Sequence, residues 1–239
     1  MRNKLKWMIP VTILALLACV FWLYTGNYYK ADDTAHAAMV SDETVKVIKT
    51  DYGWLFDGPS EESALIFYPG AKVESEAYAP ILHLLAEKGM DACLVDMPFH
   101  LAFFGMSKAE AVMREHVYDC WFIGGHSLGG AMAANYAADH GERFAGLILF
   151  AAYPTKALDH QLIEISLYGS EDGVLNLEKV AIGKNYAPEA FYEHVIEGGN
   201  HAGFGNYGEQ NGDGAATISA QEQQQQAAQF IMDFIVNED

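Results

Sequence analysis

One short stretch of the chain combines a serine with the small residues that a catalytic turn requires. Residues 124–130, Gly-Gly-His-Ser-Leu-Gly-Gly, lie between an apolar run and an alanine-rich run. This order predicts a strand, a tight turn and a helix, with Ser127 raised on a strained backbone. Gly125 and Gly129 would let strand and helix approach closely, and the N–H of Leu128 would point at an oxyanion forming beside Ser127. Ser127 is therefore a candidate nucleophile.

A serine hydroxyl is inert at neutral pH unless a histidine takes its proton and a carboxylate holds that histidine. Four histidines follow Ser127 in the chain. His201 is the best placed, because it stands in a glycine-containing loop just after a predicted strand, Phe191 to Ile196. The other three fall at a helix end, in a short connection and inside that strand. His201 is therefore the candidate base.

The candidate acid follows another predicted strand. Residues 163–169 form an apolar run that ends at a turn, Ser-Glu-Asp-Gly. Asp172 in this turn is the better candidate, because the side chain of the neighbouring Glu171 is expected to point into solvent. The alternative is that both are simply hydrated turn acids. The order Ser127, Asp172, His201 is the one that this kind of serine turn requires.

These motifs, together with Phe67 to Lys72 and Val95 to Pro98, resemble the α/β-hydrolase superfamily, and within it the small single-domain bacterial dienelactone-hydrolase-like esterases. The resemblance extends over most of residues 44–237. In that family the loop after the third strand carries His-Gly and then a residue whose N–H is the second oxyanion donor. Here Pro69-Gly70 stands in that place, so Ala71 inherits the donor role, with Lys72 as the alternative.

The hydrophobic pattern predicts an α/β fold with an eight-stranded, mostly parallel sheet and helices on both faces. Two short runs near residues 45–48 and 54–56 predict an opening antiparallel hairpin. Later apolar runs predict buried strands, with amphipathic helices between them. Only about eleven residues, 152–162, separate two of these strands, which is too few for a substantial lid.

The N-terminus predicts attachment to a membrane. Arg2, Lys4 and Lys6 precede an uncharged stretch, Trp7 to Tyr24. As a helix this stretch would be about 27 Å long, close to the thickness of a bilayer core. It predicts an uncleaved single-pass signal anchor in the lipid bilayer, with the basic end in the cytoplasm and the catalytic domain outside.

Two alternatives to the anchor stay open. Residues 16–19, Leu-Leu-Ala-Cys, resemble a lipoprotein box, and residues 35–37, Ala-His-Ala, match a signal-peptidase pattern of secreted proteins. The predicted organisation is a membrane anchor or signal segment at residues 1–24, a tether at residues 25–43 and a catalytic domain at residues 44–239.

The negative charge of the chain excludes one class of partner. Beyond residue 24 the chain has 32 acidic residues against 11 basic ones, a net charge of −21. Nucleic acid is therefore an unsuitable partner.

Cys93 and Cys120 are expected to be small core residues in strands too far apart for a disulfide bond. No cluster has the spacing of metal ligands, and the expected chemistry needs no cofactor.

The sequence thus predicts a serine hydrolase that cleaves small carboxylic esters. A thioesterase or peptidase with the same triad is the alternative enzyme, and a catalytically silent binding module is the alternative of another class. Lys72, beside the predicted oxyanion loop, His126, before the nucleophile, and Phe99, in the apolar loop at residues 98–105, are candidate substrate-binding residues. The alternatives are that Lys72 is a solvated loop lysine and that the apolar loop packs onto the core.

Overall fold

The computed structural model describes residues 2–60 and 62–235, with side chains described from residue 8 onward. Seven α-helices occur in these residues: α1 (Arg2–Gly26), α2 (Asp33–Ala38), α3 (Ala79–Glu87), α4 (Ala109–Glu115), α5 (Leu128–Asp139), α6 (Leu177–Gly183) and α7 (Ala220–Ile235). The eight strands are β1 (Lys46–Lys49), β2 (Gly53–Asp57), β3 (Ser63–Tyr68), β4 (Met90–Val95), β5 (Cys120–His126), β6 (Gly146–Phe150), β7 (Ile163–Gly169) and β8 (Ala190–Ile196).

All eight strands belong to one sheet, in the order β1-β2-β4-β3-β5-β6-β7-β8. The strands from β3 to β8 pair in parallel, and β1 and β2 form an antiparallel hairpin at one edge. The predicted α/β architecture, its eight strands and its opening hairpin are confirmed. The carboxyl ends of β5, β7 and β8 lie along one edge of the sheet, where loops can bring catalytic side chains together.

Each face of the sheet has its own hydrophobic core. Leu65 and Phe67 of β3 pack on one face with residues of α3 and α7, whereas Ile66 and Tyr68 pack on the other with residues of α4 and α5. The alternation follows from the two-residue period of a strand. Burial on both faces explains why the central strands are apolar throughout.

The connection between β6 and β7, residues 151–162, contains no helix. At this position, where the sequence predicts no room for a substantial lid, the chain is an irregular connection. The site at the carboxyl edge of the sheet is bordered instead by three short 3₁₀ turns within residues 98–108.

Residues 25–43, predicted as a tether, lie against the catalytic domain. Tyr29 forms a parallel β-bridge with Val73, and Asp32 donates its backbone N–H to the carbonyl of Asn206 over 2.9 Å. The side chain of Asp32 also caps α2. The C-terminal end of α1 is thereby held next to the loops at the carboxyl edge of the sheet.

The two cysteines of the sheet differ in exposure. Cys93 in β4 is fully buried, as predicted, and β3 separates it from β5. Cys120 is exposed, so the prediction that it is a core residue is wrong. The reason is its place as the first residue of β5, because burial of this strand begins two residues later.

Candidate active site

Ser127 stands alone between the last residue of β5 and the first residue of α5. Its backbone has φ 53° and ψ −122°, in the left-handed half of conformational space that L-residues avoid. Its N–H donates to the carbonyl of Phe150 at the end of β6, over 2.9 Å. The strained turn predicted from the sequence is therefore present, and it places Ser127 above the carboxyl edge of the sheet.

Glycine is required at two positions of this turn. A β-carbon at Gly129 would lie 2.1 Å from the carbonyl oxygen of Tyr68, and one at Gly125 would lie 2.3 Å from the same oxygen. Both distances are far below van der Waals contact. The missing side chains thus allow β5 and α5 to approach β3 closely enough to form the turn.

Asp172 and His201 form a buried hydrogen-bonded pair. Nδ1 of His201 lies 2.8 Å from Oδ2 of Asp172, and the two side chains are only 2% and 1% exposed. The other carboxylate oxygen of Asp172 accepts the backbone N–H groups of Val174 and Leu175 over 2.9 and 2.7 Å. Because an ionised carboxylate only accepts hydrogen bonds, this pair places the imidazole proton on Nδ1 and leaves the lone pair on Nε2.

The structure brings His201 next to the residue that precedes Ser127. The imidazole rings of His126 and His201 are 4.5 Å apart, centroid to centroid. Nε2 of His201 is buried, and no described group forms a hydrogen bond with it or with the hydroxyl of Ser127. Catalytic hydrogen bonds are often long in a site without substrate and shorten when substrate binds.

The two backbone N–H groups predicted to form the oxyanion hole have no acceptor among the described residues. They belong to Leu128, the first residue of α5, and to Ala71 in the loop after β3. The amides on either side of Ala71 are both occupied, since Gly70 donates to the hydroxyl of Tyr78 and Lys72 donates to the carbonyl of His100. Of the two candidate donors, Ala71 therefore has a free amide and Lys72 does not.

His126 lies behind the site. Its side chain is buried, and its Nδ1 is 2.8 Å from the hydroxyl of Tyr78, the group that also binds the amide of Gly70. Burial, and secondarily the nearby His201, lowers the pKa of His126 well below its usual value. A neutral His126 adds no positive charge beside His201. The geometry gives it contact with the base and the oxyanion loop, not with an open substrate pocket.

Asp213 is not among the residues predicted from the sequence, and it joins the acid turn to the histidine loop. Its Oδ1 accepts the N–H groups of Gly173 and His201 over 3.1 and 3.2 Å, and its Oδ2 accepts that of Ala202 over 2.8 Å. One carboxylate thus fixes the backbones on both sides of the Asp172–His201 pair. A turn of two glycines around an aspartate, Gly212 to Gly214, was the only local signal for it.

The two remaining candidate substrate-binding residues lie at the rim of the site. The ammonium group of Lys72 is 4.4 Å from the centre of the Tyr24 ring in α1. Phe99 is half exposed and packs against Phe21 of α1 with ring centroids 5.1 Å apart. Both side chains therefore point towards the end of α1.

No group of three or more His, Cys, Asp or Glu residues in the described part of the chain is arranged to hold a metal ion. The functional groups at this edge are a serine, a buried histidine–aspartate pair and free amides. This set suits attack on a carbonyl carbon followed by stabilisation of an oxyanion.

Comparison with known families identifies the class. Residues 64–225 match the model of the alpha/beta hydrolase family, which is more than half of the chain. The protein therefore belongs to the alpha/beta hydrolase family. No curated protein sequence matches it.

Several solved structures share the fold at low sequence identity. Est1E from Butyrivibrio proteoclasticus has a TM-score of 0.57 and 16% identity, over 82% of this chain and 100% of that one. The carboxylesterase CesB from Bacillus subtilis has a TM-score of 0.58 and 10% identity, over 92% and 99% of the two chains. The naproxen esterase from Bacillus subtilis has a TM-score of 0.55 and 12% identity, over 90% and 97%. At these identities the likeness concerns the fold.

Proposed function

We propose that this protein is a serine hydrolase that cleaves small carboxylic esters through an acyl-enzyme on Ser127. The observation that carries the proposal is the buried 2.8 Å contact between His201 and Asp172, beside the strained turn of Ser127. A buried imidazole that has one nitrogen bound to a carboxylate and the other free is arranged to accept a proton.

In the proposed reaction, Nε2 of His201 takes the hydroxyl proton as Ser127 Oγ attacks the carbonyl carbon of the ester. The negative oxygen of the tetrahedral intermediate is stabilised by the N–H groups of Leu128 and Ala71. His201 then gives the proton to the leaving alcohol, and an acyl group remains on Ser127. Water, activated by the same imidazole, attacks this acyl-enzyme and releases the carboxylic acid.

Two features favour small esters as substrates. The connection between β6 and β7 contains no helix that would cover a long acyl chain. Solved structures with the same fold include a carboxylesterase and a naproxen esterase. Thioester and peptide cleavage would use the same groups, so they are competing outcomes of a substrate comparison.

We also propose that α1 anchors the protein in the cell membrane with the catalytic domain outside the cytoplasm. Residues Met8–Gly26 of this helix are 19 residues long, have a mean hydropathy of 2.1 and are almost entirely exposed. An exposed helix of this length and composition fits a bilayer core of about 30 Å. The three basic residues that precede it favour a cytoplasmic N-terminus.

The test is covalent labelling of the full-length protein with a fluorophosphonate, which reacts with activated serines. We expect one adduct per chain by intact mass, and no adduct on the Ser127→Ala variant. Ser107→Ala is the matched control, because Ser107 is exposed and forms no hydrogen bond with any of the proposed catalytic groups. The same preparations are then compared on 4-nitrophenyl butyrate, a butyryl thioester and a peptide amide.

Faster turnover of the oxygen ester than of the other two supports the proposal. An adduct that persists on Ser127→Ala in wild-type amounts would show that another residue is the nucleophile. Cleavage of the peptide alone would show that the enzyme is a peptidase.

A further inference from the structure

Four aromatic side chains form an exposed apolar surface where α1 meets the catalytic domain. This surface, the aromatic rim, consists of Phe21 in α1 and Phe99, Phe103 and Phe104 in the loop after β4. The ring of Phe21 is 5.1 Å from that of Phe99 and 6.0 Å from that of Phe104. Phe103 contacts Phe104 at 5.5 Å and is 68% exposed. Solvent-exposed apolar surface of this kind marks an interaction site.

The aromatic rim borders the candidate active site. His100, the residue after Phe99, accepts the N–H of Lys72 over 2.8 Å, and Lys72 follows the oxyanion-loop residue Ala71. Phe99 and His100 both have positive φ angles, 58° and 55°. The strained backbone turns the Phe99 ring outward to α1, while the same loop stays bonded to the oxyanion loop. A substrate that crosses the rim thus arrives beside Ala71.

The position of Phe21 along α1 determines how deep the aromatic rim would lie in a bilayer. Phe21 is five residues before the end of the helix at Gly26, a distance of about 8 Å at the helical rise. If α1 crosses the bilayer with Gly26 at the outer boundary of the hydrocarbon core, Phe21 and the rings packed on it lie in the outer part of that core, within about 8 Å of the headgroups. Trp22 and Tyr24, both exposed, lie at the same level, where aromatic side chains are enriched in membrane proteins.

The charge distribution of the chain matches this placement. The whole chain carries 32 acidic residues, yet the rim loop from Met97 to Lys108 has none. The oxyanion loop, residues 69–73, has none, and neither has the segment 18–30, which contains the end of α1 and the four residues after it. Elsewhere on the protein, acidic side chains would repel lipid phosphates. The three segments that meet at the aromatic rim contain no such side chain.

From these four observations we propose that the aromatic rim lies in the outer surface of the membrane and that the ester substrate reaches Ser127 from the bilayer. The substrate class is an uncharged amphiphile, with its apolar part in the lipid and its ester bond at headgroup depth. This inference rests on the proposed function, since it concerns the substrate of the same site. It adds that the substrate enters the site from the membrane and that it is dissolved in the lipid, not in water.

The first test measures the depth of the rim and needs no enzyme activity. Phe103→Cys is placed in full-length protein that also carries Cys19→Ala and Cys120→Ser, and it is labelled with the fluorophore NBD. Burial raises the pKa of Cys93 to about 12, so this thiol does not compete for the label. The control is Val117→Cys, because Val117 is 95% exposed and precedes β5 at the opposite edge of the sheet.

The labelled proteins are reconstituted in phosphatidylcholine vesicles with and without lipids carrying a shallow nitroxide. We expect the label at position 103 to lose at least half of its emission to the nitroxide lipid and to resist aqueous iodide. The label at position 117 should behave in the opposite way. Equal quenching of both labels by iodide would overturn the proposal, whatever the activity of the protein.

The second test compares a dissolved with a bilayer-borne ester of the same acid. The substrates are 4-nitrophenyl butyrate in solution and hexadecyl butyrate in the same vesicles. For the variant Phe103→Ser with Phe104→Ser, we expect kcat/KM on the dissolved ester within twofold of wild type and hydrolysis of the vesicle ester at least tenfold slower. Val117→Ser should change neither rate.

Equal rates of wild type and double variant on the vesicle ester would overturn the inference. If the double variant loses both activities, the single variant Phe103→Ser decides, because this side chain is the most exposed of the rim. A wild-type protein that fails on the dissolved ester would instead contradict the proposed function, and the fluorescence result would still report on the rim.

Discussion

The imidazole of His201 and the carboxylate of Asp172 meet at 2.8 Å with almost no exposed surface on either side chain. The second carboxylate oxygen of Asp172 accepts two N–H groups of its own turn, so the turn itself holds the carboxylate in the orientation that the histidine needs. The histidine is therefore held in one tautomer and one orientation. The first two predictions depend on the groups at this edge of the sheet.

Asp172→Asn is expected to lower kcat for ester hydrolysis by about 10⁴ at neutral pH, because an amide can donate to Nδ1 and favour the wrong imidazole tautomer. The fold should persist, since the amide oxygen can still accept from the turn. Glu171→Gln, on an exposed neighbour, should retain full activity. Steady-state kinetics and circular dichroism measure both effects. Loss of activity in the Glu171 variant alone would move the acid to that residue.

Asp213→Ala is expected to lower kcat by about 10² with little change in KM, because a loss of about 1 Å in alignment of a catalytic group has an effect of this size. The carboxylate binds backbone amides on both sides of the catalytic pair, and it forms no hydrogen bond with the side chain of Asp172 or His201. Asp213→Asn keeps one accepting oxygen and should recover part of the rate.

Asp159→Ala is the matched control for Asp213, since Asp159 also binds an amide of its own turn but lies away from the site. It should leave both kinetic constants unchanged. A rise in KM for Asp213→Ala without a fall in kcat would indicate a role in substrate binding. Equal rates of the Ala and Asn variants would show that the amide contacts do not position the histidine loop.

The parts of this molecule that could be predicted from its sequence are those with a local signal. The turn of Ser127 is specified by glycines that the structure shows to be sterically required. Asp172 and His201 each follow a strand whose apolar run can be recognised, and parallel strands bring their ends to one edge. The eight strands and the short connection between β6 and β7 follow from the same patterns.

The parts that could not be predicted depend on contacts distant in sequence. Asp213 binds the amide of Gly173, 40 residues earlier, and nothing in its own neighbourhood indicates that partner. The segment after α1 has the composition of a linker, yet Tyr29 pairs with Val73 across the edge of the oxyanion loop. Long-range pairings of this kind are set by the assembled fold, so sequence periodicity does not reveal them.

Glu164 is expected to make the folded state less stable as the pH rises. Its carboxyl group is buried in β7, and burial raises its pKa from the ordinary value of 4.5 to about 8. Below 4.5 the group is protonated in both states and has no effect. Between 4.5 and 8 it ionises in the unfolded state alone, which lowers the free energy of unfolding by up to about 5 kcal/mol.

The stability gain of Glu164→Gln over wild type should therefore grow from pH 4.5 to pH 8 and then stay constant. Urea denaturation at several pH values measures it. Glu178→Gln, on the exposed side of α6, is the control and should show no such slope. A gain that is independent of pH would show that Glu164 has a partner that stabilises its charge.

The full-length protein, produced in a bacterial host, is expected in the membrane fraction with its catalytic domain accessible from outside the cytoplasmic membrane. The reason is the exposed apolar helix α1 and the basic residues before it. Protease added to spheroplasts should digest the domain while a cytoplasmic marker protein stays intact. Protection of the domain together with the marker would place it in the cytoplasm.

The rate on dissolved esters is expected to be highest for short acyl groups. Each methylene of the acyl group that the protein buries contributes about 0.8 kcal/mol to substrate binding. This gain ends where the acyl group extends beyond the pocket, and residues 151–162 form no helix that would lengthen the pocket. We expect kcat/KM to rise from acetate to about butyrate or hexanoate and then to stop rising. A series of 4-nitrophenyl esters below their critical micelle concentrations measures this, with Ser127→Ala as the blank.

A maximum at twelve carbons or more would show that another part of the chain, such as the loop of the aromatic rim, closes over the acyl group. The alcohol part of the ester can still be long, because in the proposed geometry it remains in the membrane while the short acyl group alone occupies the site.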